Sequence, residues 1–107
     1  MYTLKYAKSY RDDIKSTINY IKYSLQNPIA AQRLKDEIKN KYINLKENPL
    51  IYPIVPDEYL ASKGYRFIMV NNYMIFYKVK KKQIEIIRFL YGYRDWMKML
   101  TKTDNDF

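Results

Sequence analysis

Two amphipathic segments separated by a short break constrain the fold of this chain more than any other feature. Apolar residues recur every three or four positions over residues 9–25 and again over residues 28–47, as in helices with one buried face. Asn27 suits the N-cap of the second helix and Pro28 its first turn, and Ser9 is a candidate N-cap for the first. We expect a helical hairpin whose apolar sides pack on a further layer.

The second half of the chain predicts this further layer as a small β-sheet. Residues 2–6 alternate like a strand, and residues 65–70, 73–79 and 83–90 predict three more, with turns at residues 71–72 and 80–82. Residues 49–63 form an irregular connection, and residues 95–100 a short last helix.

The predicted fold is therefore α+β in the order β-α-α-β-β-β. The helical hairpin covers one face of a small antiparallel sheet, and the other face stays open for function. A single domain spans residues 1–100, and residues 101–107 form a polar C-terminal tail.

The chain contains neither histidine nor cysteine, which excludes large classes of chemistry. It lacks the commonest general base, the commonest zinc ligands and any disulfide, so we expect no metal site and no cofactor. No apolar stretch resembles a signal peptide or a membrane span, so we expect a cytoplasmic protein. We expect the following carboxylates on the solvated surface: Asp12, Asp13, Asp36, Glu37, Asp57, Glu58, Asp104 and Asp106.

Positive charge is concentrated in the half of the chain that forms the sheet. The net charge is +9, and residues 63–107 hold ten basic and four acidic side chains. Arginine, lysine and tyrosine grip phosphates and stack on bases, which indicates an anionic partner. Arg88 is either a binding residue or the salt-bridge partner of Glu85 or Asp95, and the turn lysines are either a solvated tip or a phosphate-steering group. The candidate binding residues are Arg66, Arg88, Arg94, Lys80, Lys81 and Lys82.

Short motifs occur in a distinctive order along the chain. They are Tyr20-Ile21, Leu25, Asn27-Pro28, Ala30-Ala31, Leu45, Asn48-Pro49, Tyr52-Pro53, Gly64-Tyr65-Arg66, Asn72-Tyr73, Ile75-Phe76-Tyr77, Ile86-Ile87-Arg88, Tyr91-Gly92 and Arg94-Asp95-Trp96. In this order, over about residues 1–97, the chain resembles the RelE/ParE superfamily of toxins from bacterial type II toxin–antitoxin systems. The resemblance implies a toxin that inhibits growth, a role in plasmid stabilisation, and the β-α-α-β-β-β fold.

The two branches of this superfamily act differently. The resemblance to the RelE branch implies metal-free cleavage of mRNA on the ribosome, whereas the ParE branch inhibits DNA gyrase. Arg66 and Arg94 match two basic positions of the RelE-like site. Tyr91 and Tyr93 are the candidate proton carriers, and tyrosine suits the acid role better than the base role because its ordinary pKa is about 10.

Other positions depart from the RelE-like pattern. Met74 stands where that site carries an arginine, and Ile68 where it carries a second basic residue. Residues 98–100 hold no counterpart of the tyrosine that the last helix would supply. Metal-free RNA cleavage needs a proton acceptor, a proton donor and charge stabilisation at the phosphate, so these departures favour a toxin that only binds.

Three functions remain open from the sequence. The first is a ParE-like toxin that binds an essential target such as DNA gyrase, the second a ribosome-dependent mRNA endonuclease with an incomplete site, and the third a basic nucleic-acid-binding module. For either toxin we expect a cognate antitoxin of acidic composition, partly disordered when free, in a hetero-oligomer with the toxin. We expect no membrane partner.

Overall fold

The computed structural model of the chain describes residues 2–105. Its strands and helices follow the predicted order, with one additional short helix in the connection before the β-meander. They are β1 (Thr3–Tyr6), α1 (Lys8–Asn19), a π-helical turn (Tyr20–Ser24), α2 (Pro28–Glu47), α3 (Glu58–Ser62), β2 (Arg66–Val70), β3 (Tyr73–Lys80), β4 (Gln83–Tyr91) and α4 (Trp96–Asn105). The predicted α+β fold is confirmed.

The four strands form one sheet in the order β1-β4-β3-β2. Strand β3 pairs antiparallel with β2 and with β4, as predicted for a meander. Strand β1 instead runs parallel to β4, so the sheet is mixed and not wholly antiparallel. Asn71 and Lys81 adopt positive φ angles of 55° in the two tight turns, as the first residue of such hairpin loops requires.

One face of the sheet is covered by the helical hairpin, as predicted. The core there joins Ile18 of α1 and Leu34 and Ile38 of α2 to Ile75 and Ile86 of the sheet. At the hairpin turn, the Asn27 side chain caps α2 by accepting a hydrogen bond from the Ala30 N–H at 3.0 Å.

The predicted cap of the first helix is wrong. Helix α1 begins at Lys8, and Ala7 occupies the N-cap without a side-chain hydrogen bond. The Ser9 hydroxyl instead donates to the carbonyl of Ile87 at 2.7 Å. Strand β1 pairs with β4 only as far as Ile86, so the Ile87 carbonyl lies beyond the last residue pair of the two strands. The Ser9 hydroxyl supplies a hydrogen-bond donor for it.

The opposite face of the sheet, which we expected to be open, is covered by α3, α4 and the preceding connection. Met74, Phe76 and Ile87 from the sheet pack there with Leu60 and Leu100. The ring of Trp96 lies 5.3 Å from that of Phe76. These strands carry apolar side chains on both faces, so an uncovered second face would expose a large apolar area to water.

Helix α4 continues to Asn105, five residues beyond its predicted end at Leu100. Asp104, expected on the solvated surface, is instead enclosed: it accepts hydrogen bonds from the Tyr65 hydroxyl at 2.9 Å and from Lys78 Nζ at 3.3 Å. Burial opposes the charged form of Asp104, but the hydrogen bonds from Tyr65, Lys78 and Tyr59 outweigh it and lower the pKa of the carboxyl. Asp106, the other tail carboxylate, lies outside the described residues.

No helix within residues 2–105 combines the length and the apolar character that crossing a membrane would require.

Candidate functional site

A cluster of tyrosines lies at the end of the sheet that carries the Asn71-Asn72 turn. Tyr73 opens β3 and pairs in register with Tyr91, the last residue of β4. The ring centroids of Tyr73 and Tyr91 are 5.5 Å apart, and those of Tyr91 and Tyr93 are 5.2 Å apart. Tyr20 approaches from the π-helical turn that follows α1 and lies near Tyr73. We call Tyr20, Tyr73, Tyr91, Tyr93 and Arg94 the tyrosine surface.

Three of these rings are open to solvent. Tyr20, Tyr91 and Tyr93 are 52%, 39% and 79% exposed. Exposed tyrosine and arginine side chains placed side by side are typical of the residues that dominate binding energy in protein interfaces. Burial, and to a smaller extent the neighbouring Tyr91 and Tyr20, raise the pKa of Tyr73, so its hydroxyl stays protonated at cellular pH.

A small pocket opens at the base of the tyrosine surface. Its volume is about 90 Å³. It is lined by Asp13, Ser16 and Thr17 of α1, by Tyr73, Phe89, Leu90 and Tyr91 of the sheet, and by Arg94. We call it the Arg94 pocket.

Arg88 lies beside this pocket and is held by helices from two sides. Its Nε and Nη2 donate to the two carboxylate oxygens of Asp13 at 2.7 and 2.8 Å, and its Nη1 donates to the Thr103 hydroxyl at 2.9 Å. The salt bridge that the sequence suggested exists, but its partner is neither Glu85 nor Asp95. Asp13, expected on the solvated surface, also accepts a hydrogen bond from the backbone N–H of Phe89 at 3.0 Å. These contacts give Arg88 a structural role.

Arg66 lies toward the other end of the sheet, and its side chain is also hydrogen-bonded within the protein. Its Nη1 donates to the carbonyls of Tyr52 at 2.6 Å and Leu50 at 3.3 Å, which fixes the connection after α2 against β2. In the register of β2 and β3 it faces Tyr77. Tyr77 lies four residues along β3 from Tyr73, a separation of about 13 Å at the rise of a strand.

The structure therefore divides the residues predicted from the sequence among four places, two of which are the structural contacts of Arg88 and Arg66 described above. Arg94, Tyr91 and Tyr93 lie together on the tyrosine surface. Lys80 ends β3 and pairs with Glu85 at 3.4 Å, and Lys81 and Lys82 form the turn that follows, at the opposite end of β3 and β4. Arg66 and Arg94 do not converge on one point.

The two positions that depart from the RelE-like pattern are buried. Met74 is 6% exposed and packs in the core beneath α4, and Ile68 packs in the core beneath the helical hairpin. Neither position is available to contact a phosphate. Among residues 2–105 no group of carboxylates is arranged to hold a metal ion.

Sequence reasoning missed four residues of this region: Tyr20, Asp13, Ser16 and Thr17. The strand pattern placed Tyr73 at the start of a strand, but nothing local indicated that α1 would cross the sheet beside it. A partial signal existed in Tyr20, an aromatic residue outside the apolar stripe of the helix predicted over residues 9–25.

Comparison with known proteins identifies a family whose model matches most of the chain. The model of the family described as "ParE toxin of type II toxin-antitoxin system, parDE" matches residues 4–96. A solved chain described as the chromosomal ParDE TA system from P. aeruginosa is similar in fold, with a TM-score of 0.68 and 20% sequence identity. The similarity covers 85% of this chain and 96% of that chain. No curated protein matches the chain.

Proposed function

Because the chain belongs to the ParE toxin family of type II toxin–antitoxin systems, we propose that it inhibits growth by binding an essential target, DNA gyrase, without chemistry of its own. The family pairs each toxin with an antitoxin, and the same pairing applies to this chain. The choice of gyrase rests on the ParE-like character of the sequence. The choice of binding over cleavage rests on the geometry of the arginines.

The separation of Arg66 from Arg94 is the observation that carries the proposal. A metal-free ribonuclease must bring phosphate-stabilising cations and proton carriers to one reacting phosphate. Arg66 donates hydrogen bonds to the carbonyls of Tyr52 and Leu50. It pairs across the sheet with Tyr77, which lies about 13 Å along β3 from Tyr73 of the tyrosine surface. The position that would supply a further arginine is the buried Met74.

The tyrosine surface supports binding for a different reason. Tyr91 and Tyr93 offer large rigid rings and Arg94 a charged group that makes no salt bridge within residues 2–105. Such groups gain affinity when a partner excludes water from them. We propose that this surface contacts the target, and that the lysine turn, Lys80 to Lys82, steers an anionic partner toward the protein.

An mRNA endonuclease is the second candidate function, because Arg94 remains beside Tyr91 and Tyr93 at the position that the RelE-like pattern indicates. A basic nucleic-acid-binding module is the third. We propose that the toxin acts in the cytoplasm, in a hetero-oligomer with an acidic antitoxin until it is released.

One experiment distinguishes these functions. The chain is expressed briefly in bacteria, then plasmid supercoiling and mRNA 5′ ends are examined in the same cells, and purified protein is added to gyrase in vitro. We expect lost supercoiling with intact mRNA, and a weaker effect from Arg94→Ala than from the control Lys98→Ala. New codon-phased 5′ ends would establish the endonuclease instead. Normal growth with neither effect would favour the nucleic-acid-binding module.

A further inference from the structure

We propose that the Arg94 pocket binds an acidic side chain of the cognate antitoxin, with Arg94 as its ionic partner and the hydroxyls of Ser16 and Thr17 beside it. The inference rests on the pairing of toxin and antitoxin and not on the identity of the target. A gyrase assay that shows no inhibition therefore does not contradict the inference.

The size of the pocket favours a short side chain. A volume of about 90 Å³ holds roughly three water molecules. That space fits the carboxylate of an aspartate or a glutamate with its methylene groups, and it is too small to enclose a nucleobase or an indole ring.

The charge balance of the pocket favours a monoanion. Asp13 at its floor is already matched by Arg88, through two hydrogen bonds of 2.7 and 2.8 Å, and by the N–H of Phe89. Within residues 2–105, Arg94 forms no salt bridge. One positive charge is thus left over at the mouth of the pocket, and one carboxylate would balance it.

Uncommitted polar groups lie where the carboxylate would enter. Within the described part of the chain, the side-chain hydroxyls of Ser16 and Thr17 form no hydrogen bond, and neither does that of Tyr91. All three residues line the pocket with Arg94. A carboxylate accepts several hydrogen bonds at once, so it uses these donors more fully than a neutral side chain would.

The aromatic surroundings strengthen such a contact. Tyr73, Phe89 and Tyr91 form walls of low polarity, and the exposed ring of Tyr93 stands beside Tyr91. An antitoxin segment lying on these rings would exclude water from the ion pair. The attraction between the two charges would then be stronger than in a pair on an open surface. The same segment would cover the tyrosine surface and block the proposed target contact.

The test uses the purified toxin and the purified antitoxin encoded beside it, with the dissociation constant measured by calorimetry. Arg94→Glu places a negative charge at the pocket mouth, and we expect it to weaken binding at least about 30-fold. Lys98→Glu is the matched control, since it makes the same charge change on an exposed residue of α4 outside the pocket. We expect less than about a threefold effect from the control.

Three further variants make the result specific. Thr17→Val removes one hydroxyl at nearly constant volume and should weaken binding about threefold to tenfold. An Asp→Arg or Glu→Arg change at one position of the antitoxin should restore binding to Arg94→Glu and weaken binding to the unchanged toxin. If circular dichroism shows that Arg94→Glu does not fold, Arg94→Gln replaces it in the comparison of antitoxin affinities, because it removes the positive charge without adding a negative one.

Two outcomes would overturn the proposal. One is an equal loss of antitoxin affinity in Arg94→Glu and Lys98→Glu, which would show that the effect follows from the net charge of the toxin alone. The other is unchanged antitoxin affinity for Arg94→Glu and Arg94→Gln together with a lost affinity for a single-stranded oligonucleotide, which would assign the pocket to a phosphate.

Discussion

Arg88 and Asp13 form a two-bond ion pair that joins the last strand of the sheet to the first helix. The arginine side chain is 17% exposed and that of the aspartate 14%, so both charges are largely removed from water. The third donor of Arg88 reaches Thr103 of α4. One arginine therefore connects α1, β4 and α4, at the position where β1 has ended and the edge of β4 would otherwise lie open.

We predict that Arg88→Met destabilises the protein by about 3 kcal/mol, because it leaves the enclosed Asp13 carboxylate without its cation. Urea unfolding followed by circular dichroism measures this as a lowered midpoint. The control is Lys80→Met, which breaks the more exposed pair with Glu85 and should cost less than about 1 kcal/mol. Equal effects of the two substitutions would contradict the structural role of Arg88.

Asp104 predicts a dependence of stability on pH. Its pKa in the folded state is lowered, so its contribution is fully present above the pKa of the unfolded state, near 4, and is lost as the pH falls through the folded-state pKa. We expect Asp104→Asn to cost about 2 kcal/mol at pH 7, because Lys78 and Tyr65 lose a charged acceptor.

The difference between Asp104→Asn and the unchanged chain should shrink when unfolding is measured below about pH 4. Asp12→Asn, in an exposed pair with Lys8, is the control and should change stability by less than about 1 kcal/mol at either pH. A difference for Asp104→Asn that stays constant down to pH 2 would contradict the assignment.

The parts of the fold that were predictable from sequence are those set by local periodicity. The three-to-four spacing marked both helices, and the Asn27-Pro28 pair located the hairpin turn because cap and proline preferences act over a few residues. The meander followed from three runs of strand-forming residues with short turns between them. The parallel position of β1 was not predictable in this way, since it depends on where the hairpin delivers the chain.

The candidate site was only partly predictable because it is assembled across the sequence. Arg94, Tyr91 and Tyr93 are near neighbours, and the sequence located them together. The partner of Arg88 is 75 positions away on α1, so no local pattern identified Asp13. The cover of the second face was missed because α3 was not predicted, and because no local pattern showed that Trp96 and Leu100 of the last helix would fold back on the sheet.

Met74 provides a test of whether the RelE-like site can be restored by one substitution. We predict that Met74→Arg lowers stability by several kcal/mol, because it buries a charge among Phe76, Ile87 and Leu100. Met74→Leu conserves volume and should cost less than about 1.5 kcal/mol. Thermal unfolding measures both, and a stable Met74→Arg protein that cleaves mRNA would show that the position is functional and not structural.

Tyr93 tests the proposed target surface without disturbing the core. Its side chain is 79% exposed, so Tyr93→Ala should change the free energy of unfolding by less than about 0.5 kcal/mol. As a contact residue its loss should raise the toxin concentration needed to inhibit gyrase about tenfold or more. Tyr23→Ala removes an exposed ring from the hairpin turn and serves as the control. Equal potency of the two variants would move the target contact elsewhere.

Gly92 holds the tyrosine surface in place through the neighbouring turn. Its N–H donates to the carbonyl of Asn72 at 2.7 Å, and a Cβ at this position would lie only 3.0 Å from the same oxygen. Gly92→Ala must therefore push the turn at Asn72 away from the segment that carries Tyr91, Tyr93 and Arg94. We expect a loss of about 1 kcal/mol in unfolding free energy. We also expect weaker binding of both gyrase and antitoxin, since the two proposed contacts share this segment. Calorimetry with each partner measures the effect, and a loss confined to one partner would show that the contacts do not overlap.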